Sequence, residues 1–276
     1  MKDRAYAKIN LSLDVFRRRE DGYHDLSSIM VPVTFYDELE IEKAEEMSYT
    51  TKKGRVYWNE HNTIVKMISL FKEKYHIEDN FKVTLTKSIP IKAGLAGGSS
   101  DAAAALRILE KIYGKLPEED VHELCKAVGA DVLFTYYQRP ALVEGTGEKL
   151  SFFEIRKKYY VLLVKPASGI STKESYGNLD LASCPHPDVP ALKEALEKGE
   201  DIHPLLGNSL EQPALKLSKD VSRVKKLLIK EGGRDPLMSG SGSAVFVISE
   251  EKEEIRQLQE KMKKYRLFTR FAEILC

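Results

Sequence analysis

From Ser88 to Leu106 the chain reads SIPIKAGLAGGSSDAAAAL, and no other stretch limits the possible folds so tightly. An alternating run, FKVTLTK, leads into it. Pro90 then opens a loop holding Gly94, Gly97 and Gly98, and an alanine-rich helix begins at Ser99-Ser100. Strand, glycine loop and helix in that order point the unpaired N–H groups and positive dipole end of a helix into a loop whose glycines admit close approach of a ligand. Such a place suits an anion, phosphate above all; a plain flexible connection ahead of a buried helix is the alternative. The loop is not a Walker A motif, because no Gly-Lys-Ser/Thr follows the spacer, and its glycines do not fall as G-x-G-x-x-G. Ala102, Leu106, Leu109 and Tyr113 share one helix face, and Gly114 stands where a helix stops.

Upstream, Arg4 to Val15 alternates strictly, with Ala5, Ala7, Ile9, Leu11, Leu13 and Val15 on one face and Tyr6, Lys8, Asn10, Ser12 and Asp14 on the other. This predicts a half-buried strand. Its polar face either meets water or sets a cation beside an amide, as an active cleft requires. Asp21-Gly22 marks a turn, LSSIMVPVTFY the returning strand, and the segment through Trp58 further antiparallel sheet. A helix carries Ile64, Ile68 and Phe71, and another spans Glu119 to Val128. Asp131, after Gly129-Ala130, is either the N-cap of the next turn or a fixed acid beside an apolar segment.

The pattern restarts near residue 155. Strands are expected at Tyr159–Val164, Ser243–Ile248 and Leu267–Leu275, and helices at Pro190–Glu197, Leu210–Lys230 and Glu250–Lys264. This is an α+β arrangement, helices against an antiparallel sheet. A further glycine loop, Met238-Ser239-Gly240-Ser241-Gly242, precedes the middle strand. With 276 residues the chain has length for two domains, and its 43 basic and 42 acidic residues nearly cancel, so no field of the kind nucleic acid exploits is expected. No apolar run approaches membrane-spanning length and no signal pattern opens the chain, which predicts a cytoplasmic protein. Cys125, Cys184 and Cys276 lack C-x-x-C spacing and read as reduced thiols.

AKINLSLDV with DGYH, PIKAGLAGGSSDAAAAL, GADVLF, EGTGEKL, ISTKESYGNLD, NSLE and MSGSGSAVF occur here in the order of the GHMP superfamily of small-molecule kinases. The chain resembles that family over nearly its whole length. The glycine motifs mark the superfamily, while AKIN with DGYH, GAD and EG-x-GE resemble its branch acting on a cytidine-linked sugar alcohol in non-mevalonate isoprenoid synthesis. The resemblance implies a two-domain α+β fold: residues 1–155 an ATP-binding domain like ribosomal protein S5, residues 156–276 a ferredoxin-like layer.

It also implies that ATP, with Mg2+ bridging phosphate oxygens, lies on Pro90, Ile91, Lys92, Ala93, Gly94, Leu95, Ala96, Gly97, Gly98, Ser99 and Ser100; no metal ligand is assigned. Asp131 would orient or deprotonate the attacking hydroxyl, with Lys8 the cation beside it and Asn10 positioning the hydroxyl. Tyr23 and Tyr176 would sandwich the pyrimidine, His24 would meet its edge and Thr172 would line the pocket. The partners implied are the CDP-linked sugar alcohol and ATP, without nucleic acid or membrane. Three positions depart from the family pattern: Lys92 for a small residue, Ala96 for glycine and Leu133 for proline. A superfamily kinase for a mevalonate- or homoserine-like alcohol is the near alternative, and a non-catalytic ATP sensor the distant one; Lys8 and Asp131 count against the latter.

Overall fold

The computed structural model describes residues 1–276. Two strands open the chain, β1 (Lys2–Arg18) and β2 (His24–Ala44), of 17 and 21 residues. In β1 the buried alternation runs from Ala5 to Val15 as predicted and the strand continues past it through exposed residues, while in β2 burial at every second position from Ile29 to Ile41, Asp37 included, makes one strand of the two stretches. The chain divides into two compact units. The first holds Met1–Ala7, Tyr36–Pro90 and Ala96–Gln138, and the second Lys8–Phe35, Ile91–Leu95 and Arg139–Cys276.

In the first unit β3 (Ser48–Lys53), α1 (Thr63–Tyr75) and β4 (Asn80–Thr86) follow β2, then α2 (Gly97–Tyr113), α3 (Glu118–Val128) and α4 (Val132–Tyr137). Asn62 caps α1, its side chain accepting from the N–H groups of Ile64 and Val65. β4 pairs antiparallel with β2 between Glu38↔Thr86 and Ala44↔Asn80. β3 runs parallel to β4, where the sequence predicts antiparallel sheet. The helix α1 between them carries the chain back, so β4 starts from the same end as β3. α2 begins two residues earlier than its serines suggest, and Ala102 through Ala105 are all buried. Side chains this small let α1 and α4 pack close to α2.

A buried ionic cluster fixes how β2, β4 and α2 meet. The Lys87 ammonium donates to Asp37 of β2 at 2.5 Å and to Asp101 of α2 at 2.6 Å. The other oxygen of Asp37 accepts the N–H of Ser88 and, at 2.8 Å, that of Ile89. Burial alone would lower the pKa of Lys87, but the two carboxylates outweigh it and hold it above its ordinary value. Burial pushes the Asp101 acid up, to about 8, against the pull of Lys87 and with the charge of Asp37 adding to the push.

The second unit adds β5 (Ala141–Gly145), β6 (Lys149–Phe152), β7 (Tyr160–Lys165), α5 (Thr172–Gly177), α6 (Val189–Lys198), β8 (Gly207–Asn208), α7 (Glu211–Leu217), α8 (Lys219–Lys230), β9 (Leu237–Met238), β10 (Val245–Ser249), α9 (Lys252–Met262) and β11 (Phe268–Glu273). β5 pairs with β2, and the two-residue β8 runs parallel to β1. β7 lies between β11 and β10, β9 closes the edge, and every pairing in this four-stranded sheet is antiparallel. Helices α8 and α9 pack on it, which gives the expected α+β arrangement. The single helix predicted over Leu210–Lys230 is two. Ser218 is extended at φ −138° and ψ 108°, ends α7 through its N–H to the Ala214 carbonyl, and turns its hydroxyl to Ser168 at 3.1 Å. No helix is long and apolar enough to cross a membrane.

Lys87→Met leaves the Asp37 carboxylate and the Asp101 acid buried without the ammonium that both meet, and is expected to lower stability by about 3–5 kcal/mol in denaturant unfolding. Asp101 keeps its proton in the folded chain at pH values where the unfolded chain has lost it. The stability this represents is therefore complete below the ordinary Asp range and is lost as pH rises through about 8. Thermal unfolding across that range should show the loss, and Asp101→Asn should abolish it.

Candidate active site

The middle of the polar face of β1, Lys8 to Ser12, does not meet water. Lys8 is 3% and Asn10 1% exposed. An ammonium out of water needs acceptors, and the strand supplies one two residues on, with Lys8 Nζ donating to Asn10 Oδ1 at 2.6 Å. Asn10 Nδ2 donates to Ser28 Oγ on β2 at 2.8 Å, and that hydroxyl donates to the Ser12 carbonyl at 2.5 Å. Ser28 thus fixes which way the Asn10 amide faces.

The central loop is tied to this strand and to the late glycine loop. The Lys8 N–H donates to the Leu95 carbonyl at 3.2 Å. Between β9 and β10, Ser239 Oγ donates to the Gly94 carbonyl at 3.0 Å, while the N–H groups of Ser243 and Ala244 reach the carbonyls of Lys92 and Ala93. The two loops touch so closely that a Cβ at Gly94, where φ is +72°, would lie 2.0 Å from the Ser239 carbonyl oxygen. One at Gly240 would lie 3.2 Å from Asn10 Oδ1, from the Gly94 carbonyl oxygen and from Lys8 Nζ. Gly94 thus requires glycine, and at Gly240, φ +53°, a side chain would crowd the polar atoms beside it.

At the helix end of the central loop, Ala96 is the N-cap of α2 with φ 54° and no side-chain capping bond. The N–H groups of Gly97, Gly98 and Ser99 lie in the first turn, where a helix offers them no acceptor. Ser100 Oγ donates to the Tyr6 carbonyl at 2.7 Å, so its hydroxyl anchors the helix to β1. Lys92 also lies in the left-handed region, at φ 50°. Two of the three departures from the family pattern are thus residues carrying a Cβ where the backbone favours glycine. Leu133 is the third; it is buried in the first turn of α4 and its effect is packing.

Asp131 occupies the N-cap position of α4 at φ −82° and ψ −5°, yet its side chain makes no capping bond. The helix start accounts for where Asp131 sits. Asp131 belongs to the first unit and Lys8 to the second.

Among the expected acceptor residues, His24 and Tyr176 meet directly, with ring centroids 5.2 Å apart and planes inclined at 36°. Burial lowers the pKa of His24, and the nearby Arg18 lowers it further, so the ring is neutral near pH 7 and offers one N–H and one lone pair. Thr172 and Tyr176 lie on α5, which is fastened to the late glycine loop by Thr172 Oγ1 to Ser241 Oγ at 2.9 Å and by Ser175 Oγ to the Ser241 carbonyl at 3.1 Å. Tyr23 stands at the tip of the β1–β2 turn, 66% exposed, its N–H on the Asp21 carboxylate. Sequence reasoning missed Ser28, Ser239 and Asn208. The last stands in the NSLE motif that the resemblance singled out without giving it work.

Profiles of the GHMP kinases N terminal domain and of the GHMP kinases C terminal match residues 62–139 and 182–266. A 4-diphosphocytidyl-2-C-methyl-D-erythritol kinase from Thermoanaerobacter pseudethanolicus is 39% identical over 280 aligned residues, covering 100% of this chain and 96% of the relative. The crystal structure of a 4-(cytidine 5'-diphospho)-2C-methyl-D-erythritol kinase superposes with a TM-score of 0.85 at 32% identity, over 99% of both chains. The homoserine kinase of Cytophaga hutchinsonii has a TM-score of 0.74 at 18% identity, over 98% of this chain and 94% of that one, a likeness of fold alone. The chain belongs to the GHMP kinases and, within them, to the 4-diphosphocytidyl-2-C-methyl-D-erythritol kinase family.

Left-handed geometry at a residue with a Cβ costs about 1–2 kcal/mol, while glycine costs about 0.4–1 kcal/mol through the unfolded chain. Ala96→Gly is therefore expected to stabilise the protein by up to about 1 kcal/mol, a rise of a few degrees in Tm, with turnover retained. Thermal unfolding beside a steady-state assay checks both.

Proposed function

We propose that the protein transfers the γ-phosphoryl group of ATP to the 2-hydroxyl of 4-diphosphocytidyl-2-C-methyl-D-erythritol, a step of non-mevalonate isoprenoid synthesis, in the cytoplasm. The observation that carries the acceptor is the 39% identity to a kinase of that name across the full length of the chain. Lys8, Asn10, Asp131, the central loop and the His24–Tyr176 pair supply the chemistry such a transfer asks for.

In this reading the N–H groups at the start of α2 and the backbone of residues 90–100 cradle the nucleotide phosphates, with the dipole end of α2 favouring their charge. The Asp131 carboxylate orients the acceptor hydroxyl and takes its proton as the oxygen bonds to the γ-phosphorus and the bond to ADP breaks. Lys8 stabilises the charge on the oxygens involved, and Asn10 holds the hydroxyl in line. The chain has no cluster of three His, Cys, Asp or Glu able to cage a metal. Magnesium held by nucleotide phosphates and water would need no such cage and would neutralise phosphate charge. Tyr176 and Tyr23 offer faces to the pyrimidine, neutral His24 reads its edge, and Thr172 lines the pocket.

Asp131→Asn and Lys8→Ala are each expected to lower kcat by roughly a hundredfold or more with the fold intact. Coupled measurement of ADP release beside a circular dichroism spectrum checks this, and near wild-type turnover would remove the assigned role.

Stacking of a base on an aromatic ring is worth about 1–3 kcal/mol. Tyr176→Ala and Tyr23→Ala should each raise the KM for the cytidine-linked acceptor about tenfold, while Phe at either position retains most of the affinity. Equal turnover of an acceptor lacking the cytidine group would overturn the stacking role and the choice of acceptor together.

A further inference from the structure

The NSLE motif, Asn208 to Glu211, lies outside the proposed chemistry, yet the side chains of Asn208 and Glu211 converge on one turn. Asn208 is 2% exposed on β8. Its Nδ2 donates to the carbonyls of both Met238 and Gly240 at 2.8 Å, and its Oδ1 accepts the Leu210 N–H at 2.9 Å. Glu211 takes the same turn from another side, with Oε1 accepting the Met238 N–H at 2.9 Å and Oε2 the Lys225 ammonium at 2.6 Å. Two carbonyls and one N–H of the late glycine loop are therefore held by neighbouring side chains. β8 is itself aligned to β1 through Ser12↔Gly207 and Leu13↔Asn208, and the Ser209 N–H donates to the Leu13 carbonyl at 2.8 Å.

These bonds close a circuit. β1 sets β8, and Asn208 on β8 sets Gly240. Gly240 leaves no more than 3.2 Å between the place of a Cβ and the polar atoms of Lys8 and Asn10, which are again on β1. A trans peptide points its C=O and N–H in opposite directions. With the Gly240 carbonyl on Asn208, the Ser241 N–H is turned away from it, and the same logic at Met238 sends the Ser239 N–H to the Ala244 carbonyl at 2.9 Å. A turn rich in glycine has many conformations open to it, and the bonds from Asn208 and Glu211 select one.

We propose that Asn208 and Glu211 are positioning residues of the phosphoryl transfer, holding the Met238–Gly242 loop so that the Gly240 backbone bounds the space beside the Lys8 ammonium and the Asn10 amide; this rests on the kinase reading above. Neither residue touches substrate in this scheme: Asn208 acts on Met238 and Gly240, and Glu211 on Met238. Asn208→Asp replaces two donated hydrogens with a carboxylate facing two carbonyl oxygens, so the loop is released while the side-chain volume is kept. A displacement on the order of 1 Å at a catalytic group lowers turnover about a hundredfold.

The test uses the full chain. Hydrogen exchange followed by mass spectrometry should show faster exchange across residues 238–244 in Asn208→Asp, with exchange in α1 and α2 unchanged. Kinetics should show kcat reduced roughly tenfold to a hundredfold. In a Lys8→Ala background the same substitution should add almost nothing, because the group it positions is gone. A general loss of structure would instead multiply the two losses and speed exchange everywhere. Should Asn208→Asp fail to fold, Glu211→Ala probes the same loop, and Glu211→Gln, which keeps an acceptor for the Met238 N–H, should recover most of what Ala loses. Unchanged exchange in the loop, or additive effects on kcat, would overturn the inference. Absence of wild-type turnover on the cytidine-linked acceptor would overturn the acceptor reading instead, and the exchange data would still decide whether Asn208 holds the loop.

Discussion

A lysine buried on a strand face organises what surrounds it. Lys8 has the water-facing parity of a half-buried strand, yet it is almost wholly enclosed, so its charge must be met by polar groups of the protein. Asn10 provides one oxygen, Ser28 orients Asn10, and the Ser12 carbonyl orients Ser28. Each group uses the next as its support, and a substitution anywhere along the row disturbs the ammonium at its end. Buried polar networks of this kind are costly when one member is unsatisfied and rigid when all are satisfied. Rigidity is what a phosphoryl transfer asks for, since its catalysis comes mostly from alignment and fixed charge.

The second constraint is contact between two glycine loops 145 residues apart in sequence, Gly94 and Ser239. Backbone meets backbone there, and no side chain fits at Gly94. A loop that must bind phosphate through its N–H groups has few side chains with which to fix itself, so its carbonyls are held by a second loop, and that loop by Asn208 and Glu211. The buried Lys87 cluster plays the matching part at the loop's origin, where Asp37 fixes the N–H groups of Ser88 and Ile89. Two unrelated devices, one ionic and one amide-based, thus restrain a flexible sequence.

Much of this was legible in the sequence because it rests on local pattern. Alternation gave β1 and the faces of its residues, helical spacing gave α1 to α3, and three glycines before an alanine run marked the central loop. What stayed hidden depends on distance. The direction of β3 follows from the crossover through α1, a matter of topology rather than of its six residues. The break at Ser218 interrupts a helical pattern of apolar residues that reads as continuous, and the Ser168 contact at that break lies 50 residues away. Lys87 looked like the polar end of a strand, because nothing local says that Asp37 and Asp101 will converge on it. The NSLE motif drew notice by its order in the chain, but its work became visible only when Met238 and Gly240 came within reach. The roles assigned to Tyr23 and Thr172 likewise rest on family resemblance more than on local pattern.

Ala96 and Lys92 show how such restraint bears on the choice of residue. Both adopt left-handed backbone that costs a residue with a Cβ, and the geometry is kept even so. The cost is offset by bonds around them. The Ser100 N–H returns to the Ala96 carbonyl, and the Lys92 carbonyl accepts from Ser243, one of three bonds that join the loops. Neither bond involves a side chain at 92 or 96, so glycine is preferred there by the backbone and not demanded by a neighbour. Gly94 is different: the Ser239 oxygen occupies the place of its Cβ, so no residue with a Cβ can stand there unless the loops separate. Three positions in one loop therefore divide by physical cause into two that tolerate substitution at a modest cost in strain and one that does not.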